Sequence, residues 1–190
     1  MAGKEIKGLA CSLFLGVVTM LLLQFPATAG SADYNVSEYE VKAAFLFNFT
    51  KFVEWPREAF YAPGEPLTIC IVGDDPFGAG LDFIRNKSVN NRGLEIRRLG
   101  QPADTRDCHV LFIAYSEKTR MREILNSVVK QEVLTVSDIS GFAGSGGVIE
   151  MYIKDRKVRF RVNTSAARRH HLKIGSQLLE LAEIVTDKEQ

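Results

Sequence analysis

Three stretches combine residue types that could bind a phosphate, accept a phosphoryl group or attack a carbonyl. Gly73-Asp74-Asp75-Pro76-Phe77-Gly78-Ala79-Gly80 follows an apolar run, where a phosphate-cradling loop would open a helix. Its spacing is neither G-x-G-x-x-G nor a Walker A loop, and no Lys-Ser/Thr pair follows. Asp74 and Asp75 could hold Mg²⁺ in a phosphoryl-accepting domain, but the strand that should end on the acceptor aspartate ends Ala114-Tyr115-Ser116. The aspartates are therefore read as caps of a helix starting at Pro76. Ala143-Gly144-Ser145-Gly146-Gly147 has the outline of a serine nucleophile elbow with alanine first. Such an elbow runs strand–turn–helix, whereas a strand follows here, so the segment reads as a glycine-rich turn. No spacing links His109, His170 or His171 to Ser145 as its base. The sequence assigns no catalytic residue, no cofactor-binding residue and no metal ligand.

Cys70 and Cys108 are the other reactive pair. They lack C-x-x-C spacing, and His109 is the one histidine beside either, so a metal site is disfavoured. They can form a disulfide or stand as two buried thiols. A bond would stabilise the fold by roughly 4 kcal/mol on the chain-entropy account.

The compartment bears on that choice. Residues 1–29 read as a cleaved export signal, with Lys4 and Lys7 ahead of an uncharged run from Leu9 to Phe25. Pro26 and the Ala27-Thr28-Ala29 cleavage pattern follow. The rival reading is an uncleaved anchor, which the shortness of the run opposes. An exported chain meets an oxidising compartment, which favours the disulfide, and little ATP, GTP or nicotinamide, which disfavours a nucleotide site. The whole chain has 190 residues, 46% hydrophobic and 25% charged, with net charge +1. That composition excludes a disordered tail, a fibre and a multi-span membrane protein, and it gives no bulk electrostatic case for nucleic acid. Residues 30–190 are expected to form one domain.

The elements that would position these residues follow from periodicity. Ser37 to Val53 reads as a helix opened by a Ser37/Glu40 capping box, with Val41, Phe45, Leu46, Phe49, Phe52 and Val53 on its core face. Trp55-Pro56 should end it. Phe47 projects to the opposite side, which makes it either an aromatic covered by another segment or a contact residue. Strands are expected at 67–72, 94–99, 110–114 and 133–136, with helices at 76–83 and 117–129 between them. This alternation predicts an α/β single domain with a mainly parallel sheet flanked by helices. A late antiparallel hairpin follows, in which Ile149, Met151 and Ile153 face Val162, Phe160 and Val158. The same register sets Glu150 opposite Arg161. A final helical region begins at Thr164, with Leu172, Ile174, Leu178, Leu179, Leu181, Ala182 and Val185 as its core face. Lys157, Arg159 and Arg161 form a basic stripe on the hairpin, joined in sequence by Arg168 and Arg169. The stripe is either a solvated face or a docking surface for an acidic protein patch or anionic lipid.

Longer blocks carry a family resemblance. The segment from Ala44 to Pro56, AFLFNFTKFVEWP, resembles the opening signature of the YfiR family. Ile69 to Phe77, Cys108 to Ile113, Gly146 to Asn163 and Leu172 to Ala182 resemble its later blocks, in order. The resemblance implies a non-catalytic periplasmic regulator that binds the periplasmic domain of an inner-membrane diguanylate cyclase and inhibits it. Cyclic-di-GMP signalling and biofilm formation would be restrained as a result. It further implies release through an outer-membrane OmpA-like lipoprotein, and it is compatible with a homodimer. Cys70 and Cys108 match the family's recurring disulfide; a second pair that some members carry near the hairpin is absent. Phe47, Trp55, Arg159, Arg161, Arg168 and Arg169 are the expected partner-binding residues. The alternative is a small-molecule sensor serving a histidine kinase or another envelope system, with its ligand near Gly73 to Gly80.

Overall fold

The computed structural model describes residues 37–99 and 105–187. The export signal expected at residues 1–29 lies outside the described residues. The first described helix, α1 (Glu38–Phe52), opens as its sequence predicts. Ser37 Oγ accepts from the Glu40 amide at 3.2 Å, and Glu40 Oε2 accepts from the Ser37 amide at 2.7 Å. Two of the four orphan amides of the first turn are satisfied in this way. The helix ends earlier than Trp55-Pro56 implies, because Val53 is already extended and β1 (Val53–Glu54) pairs antiparallel with β9 (Lys173–Ile174).

Among the described residues eight strands form one sheet. In chain order they are β2 (Leu67–Val72), β3 (Ser88–Val89), β4 (Arg92–Leu99), β5 (Val110–Ile113), β6 (Leu134–Ser137), β7 (Ile149–Lys154), β8 (Lys157–Asn163) and β10 (Glu183–Val185). Their spatial order is β10-β8-β7-β6-β5-β2-β4-β3. The run from β4 through β2, β5 and β6 to β7 is parallel; β7–β8 and β3–β4 are antiparallel. The expected α/β fold with a mainly parallel sheet and a late hairpin is what forms.

Every residue of β2, β5 and β6 is buried, as a parallel sheet covered on both faces requires. Ile69, Ile71, Val110 and Phe112 point to the α1 side. Cys70, Val72, Leu111 and Ile113 point to the other side, onto α2 (Met121–Val128) through Met121, Ile124, Leu125 and Val128. The Cys70–Cys108 disulfide is formed on that second face, across a sequence separation of 38. It joins the centre of β2 to the residue two before β5.

The hairpin has the predicted register: Ile149 opposite Val162, Met151 opposite Phe160, Ile153 opposite Val158, and Glu150 opposite Arg161. Asp155 and Arg156 both take left-handed φ, 51° and 58°, which matches the twist that a two-residue turn needs.

Three expectations are corrected. The helix expected at 76–83 is a 3-10 turn over Gly78–Ile84, because Gly78 sits at φ 50° and interrupts the entry. Asp75 Oδ1 accepts from the Phe77 amide at 2.8 Å, which closes a local turn ahead of the segment; the N-cap is Phe77 and receives no side-chain hydrogen bond, so the capping expected of the aspartates is not made. The helix expected from 117 starts at Met121, behind a 3-10 turn at Tyr115–Glu117. The final helical region is divided into α3 (Thr164–Arg169), β9, α4 (Ser176–Leu181) and β10. His171 adopts φ 55°, and the Gly175 amide donates to the Phe52 carbonyl at 2.7 Å, pinning the middle of the segment to the end of α1. Leu181, expected in the core, is 73% exposed.

Candidate interaction surface

The rotation of α1 decides which of its aromatics meet solvent, and a buried ion pair anchors that rotation. Lys42 is buried; its Nζ lies 2.6 Å from Asp138 Oδ2 at the end of β6 and 2.5 Å from Glu38 Oε1. Tyr39 Oη donates to the same Asp138 oxygen at 2.9 Å. Burial opposes the lysine's charge, yet the hydrogen bonds that Lys42 donates to Asp138 and Glu38 hold its pKa above the ordinary value. Removing one partner would leave a buried charge uncompensated. Sequence reading missed Lys42 as an anchor, because its partner lies 96 residues away and no local spacing announces it.

This rotation corrects the expected faces of α1. Phe47 is only 8% exposed. Its ring meets Phe83 of the 78–84 turn edge to face at 6.3 Å, and the Lys51 ammonium lies 4.2 Å from its centroid. Phe47 is therefore an aromatic covered by another segment and not an exposed contact. Val41, Phe45 and Phe52, expected inside, are half-buried and pack on the rim of the core. The Phe45 ring lies 5.8 Å from Phe160 and 6.0 Å from Phe49, with its outer side open.

That open side forms one wall of a groove of about 550 Å³ between α1 and the hairpin. Val41, Phe45, Ile153 and Val158 supply its apolar lining, with Glu38, Arg156 and Lys157 at the lips. Ile153, an inward residue by register, is 47% exposed at the groove.

The other candidate residues are distributed as follows. Arg159 is exposed on the hairpin and makes no ion pair among the described residues. Arg161 is held internally: it pairs with Glu150 at 2.9 Å and Glu183 at 3.3 Å, and its guanidinium stacks 4.1 Å from the Tyr152 ring. Glu150, opposite Arg161 as its register predicts, is buried under the 139–147 loop. Its carboxylate accepts from the amides of Gly141 at 3.2 Å and Ala143 at 3.1 Å. Arg168 is exposed beside Ser165, while Arg169 pairs with Asp187. Trp55 is half-buried, its indole N–H donating to the His109 carbonyl at 3.1 Å. Arg156, Lys157 and Arg159 thus lie together, whereas Phe47, Trp55, Arg168 and Arg169 lie apart from them.

The glycine-rich turn is a turn, as its sequence suggests. A Cβ on Gly147 would lie 2.2 Å from the Phe142 ring, so only glycine lets the chain close over that buried aromatic. Ser145 and His170 line one cleft with Asp187, but their hydrogen bonds do not link them. Ser145 Oγ donates to the Gly141 carbonyl at 2.9 Å, and His170 Nδ1 donates to the Gln131 carbonyl at 2.8 Å. Asp187 is bound by Arg169 and Asn163. Among the described residues no three His, Cys, Asp or Glu side chains gather to hold a metal, and no helix is long and apolar enough to cross a membrane.

A mainly parallel sheet covered on both faces defines an α/β protein, and its apolar groove has Glu38, Arg156 and Lys157 at the lips. The family model described as YfiR/HmsC-like matches residues 39–183, and the chain belongs to that family. No curated protein matches it significantly. Among solved structures the chain resembles a conserved domain protein from Vibrio cholerae O1 biovar El Tor str. N16961, with a TM-score of 0.53 at 10% identity. The match covers 78% of this chain and 60% of that one, and at this identity the likeness is one of fold.

Proposed function

We propose that the chain is a non-catalytic periplasmic regulator that binds the periplasmic domain of an inner-membrane diguanylate cyclase and holds the enzyme inactive. Less cyclic-di-GMP is then made and biofilm formation is restrained. Membership of the YfiR/HmsC-like family carries this reading. The groove of Val41, Phe45, Ile153 and Val158 supports it physically. Aromatic and aliphatic side chains that are half-buried in the free protein lose their remaining water on docking and gain packing, as interface anchors do. Arg156, Lys157 and Arg159 beside them favour a partner with an acidic rim and steer its approach. An OmpA-like outer-membrane lipoprotein competing for the regulator would release the cyclase.

The test is made with the full exported chain in cells that contain the cyclase. Deleting the gene should raise cyclic-di-GMP, and the tagged cyclase periplasmic domain should retain the regulator on a column. The retained protein should begin near Gly30. Unchanged cyclic-di-GMP together with no retention would refute the reading, and an intact Met1 in the envelope fraction would refute signal cleavage.

A further inference from the structure

A second cleft, on the α2 side of the sheet, lies away from the groove. It has a volume of about 410 Å³ and is lined by α2, the glycine-rich turn and the end of α3. Its polar wall is basic. Arg169 points into it, and Arg122 on α2 lines it without an ion pair among the described residues. Leu125 and Val129 provide an apolar wall opposite. The turn comes close to the guanidinium: a Cβ on Gly146 would lie 3.6 Å from Arg169 Nη2, and the residue's φ of 101° favours glycine there.

One carboxylate already occupies this basic wall, and it belongs to the chain itself. Asp187, two residues beyond β10, takes both Arg169 nitrogens, Nη1 to Oδ2 at 2.6 Å and Nη2 to Oδ1 at 3.2 Å. Asn163 Nδ2 donates to Oδ1 at 2.6 Å. Asn163 is a fully buried side chain fixed on two further sides. Its Oδ1 accepts from the Ala166 amide at 2.9 Å, and its Nδ2 also donates to the Ala143 carbonyl at 2.8 Å. An amide buried and clamped in this way, next to an arginine fork, is a rigid receptor for a two-oxygen anion. The occupant is less firmly fixed. The Arg169 and Asp187 side chains are 39% and 41% exposed, and exposed ion pairs are weakly held.

We infer that this cleft is a binding site for a small organic anion, whose carboxylate or phosphate replaces the Asp187 carboxylate on Arg169 and Asn163 while its apolar part lies along Leu125 and Val129. Asp187 is then a built-in competitor: the ligand binds the fraction of molecules in which the Asp187 carboxylate has left Arg169 and Asn163, and its apparent affinity is reduced by that fraction. Arg122 supplies the second positive charge, which a ligand of charge −2 would use and a lone carboxylate would not. The site does not depend on the identity of the regulatory partner.

The test is calorimetric titration of the full-length protein with hexanoate and with inorganic phosphate. Asp187→Asn removes the competing charge and should tighten binding of at least one probe by about tenfold, the factor for a carboxylate that is displaced one-tenth of the time. Arg169→Ala, added to Asp187→Asn, should abolish that binding. Arg122→Gln, on an exposed helix position, should weaken phosphate more than hexanoate. Equal affinities for the wild type and Asp187→Asn, or binding that survives Arg169→Ala, would overturn the inference. Should Asp187→Asn fail to fold, the wild type is compared with Arg122→Gln at high phosphate. A loss of binding in that variant then supports the site, and none overturns it.

Discussion

The two flanks of α1 carry phenylalanines two residues apart that have opposite surroundings. Phe47 lies under the 78–84 turn, roofed by Phe83 and the Lys51 and Lys87 ammonium groups. Phe45 leans on Phe160 and leaves its outer side in a groove beside the hairpin. Helical geometry places the two rings about 200° apart, so one rotation of the helix settles both. That rotation is held by the Lys42–Asp138 pair. A charge buried at the end of β6 thus helps to set which aromatic is covered and which faces the groove.

The largest effect expected from this difference is on stability. Phe47→Ala should cost about 3 kcal/mol, the lower end for a buried phenylalanine, and any loss of cyclase binding should follow the folded fraction alone. Phe45→Ala should cost less, about 1–2 kcal/mol, because one side of its ring is open to the groove, and should weaken binding of the folded protein by about thirtyfold. Urea melts and binding measured on the same two variants make the check. Equal stability losses with no selective binding loss at Phe45 would break the comparison.

A smaller effect separates the exposed hairpin charges from the held one. Lys157→Glu with Arg159→Glu should slow association by about tenfold at low salt, and the difference should shrink at high salt as screening sets in. Stability should hardly change, since neither side chain makes an ion pair among the described residues. Arg161 belongs to the other class, because Glu150 is buried against it. Stopped-flow association over a salt series is the measurement. Association unchanged by the two reversals at every salt concentration would mean that the basic stripe contacts nothing in the partner.

What could be read in advance divides along the same line. The capping box of Ser37 and Glu40 and the register of β7 on β8 depend on residues close in sequence, where spacing alone carries the geometry. The runs at 67–72, 110–113 and 134–137 announce a covered parallel sheet, because no polar alternation interrupts them. The faces of α1 were misread because its apolar residues wrap most of the way round, and the choice between them falls to a contact with Asp138. Glu150 faces Arg161 as its register predicts, but its burial is not legible, because alternation predicts a face and not whether a loop covers it. The Ser176–Val185 segment has helical spacing throughout. It divides nonetheless, since β10 gains parallel pairing to β8 at Glu183 to Val185. The Arg169–Asp187–Asn163 contact joins three elements and left no motif to find.

The smallest expected effect is a pH dependence that should act on the fold and leave the groove untouched. Burial is the main cause holding both His109 and His170 below the ordinary histidine pKa. His109 Nδ1 accepts from the Thr68 amide at 3.1 Å, and the ring stacks on Phe60, centroids 4.4 Å apart, with the Arg92 guanidinium over that phenyl ring. A proton on Nδ1 would remove the acceptor and bring a second cation to the stack. The unfolded chain takes up these protons from about pH 6.5 downward, while the folded chain resists until lower pH. Stability is therefore complete above about pH 6.5 and declines as the pH falls from there towards the lowered folded values. Urea midpoints between pH 7.5 and 5.5 should fall, whereas affinity per folded molecule for the cyclase domain should stay level. His109→Asn keeps an acceptor near the Nδ1 position and should flatten part of the slope, leaving the share due to His170. An unchanged slope in that variant would remove His109 from the account. An affinity that falls in parallel with the midpoint, after correction for unfolded protein, would mean that the docking surface includes the His109 side of the molecule and that α1 divides the two roles less cleanly than its two phenylalanines indicate.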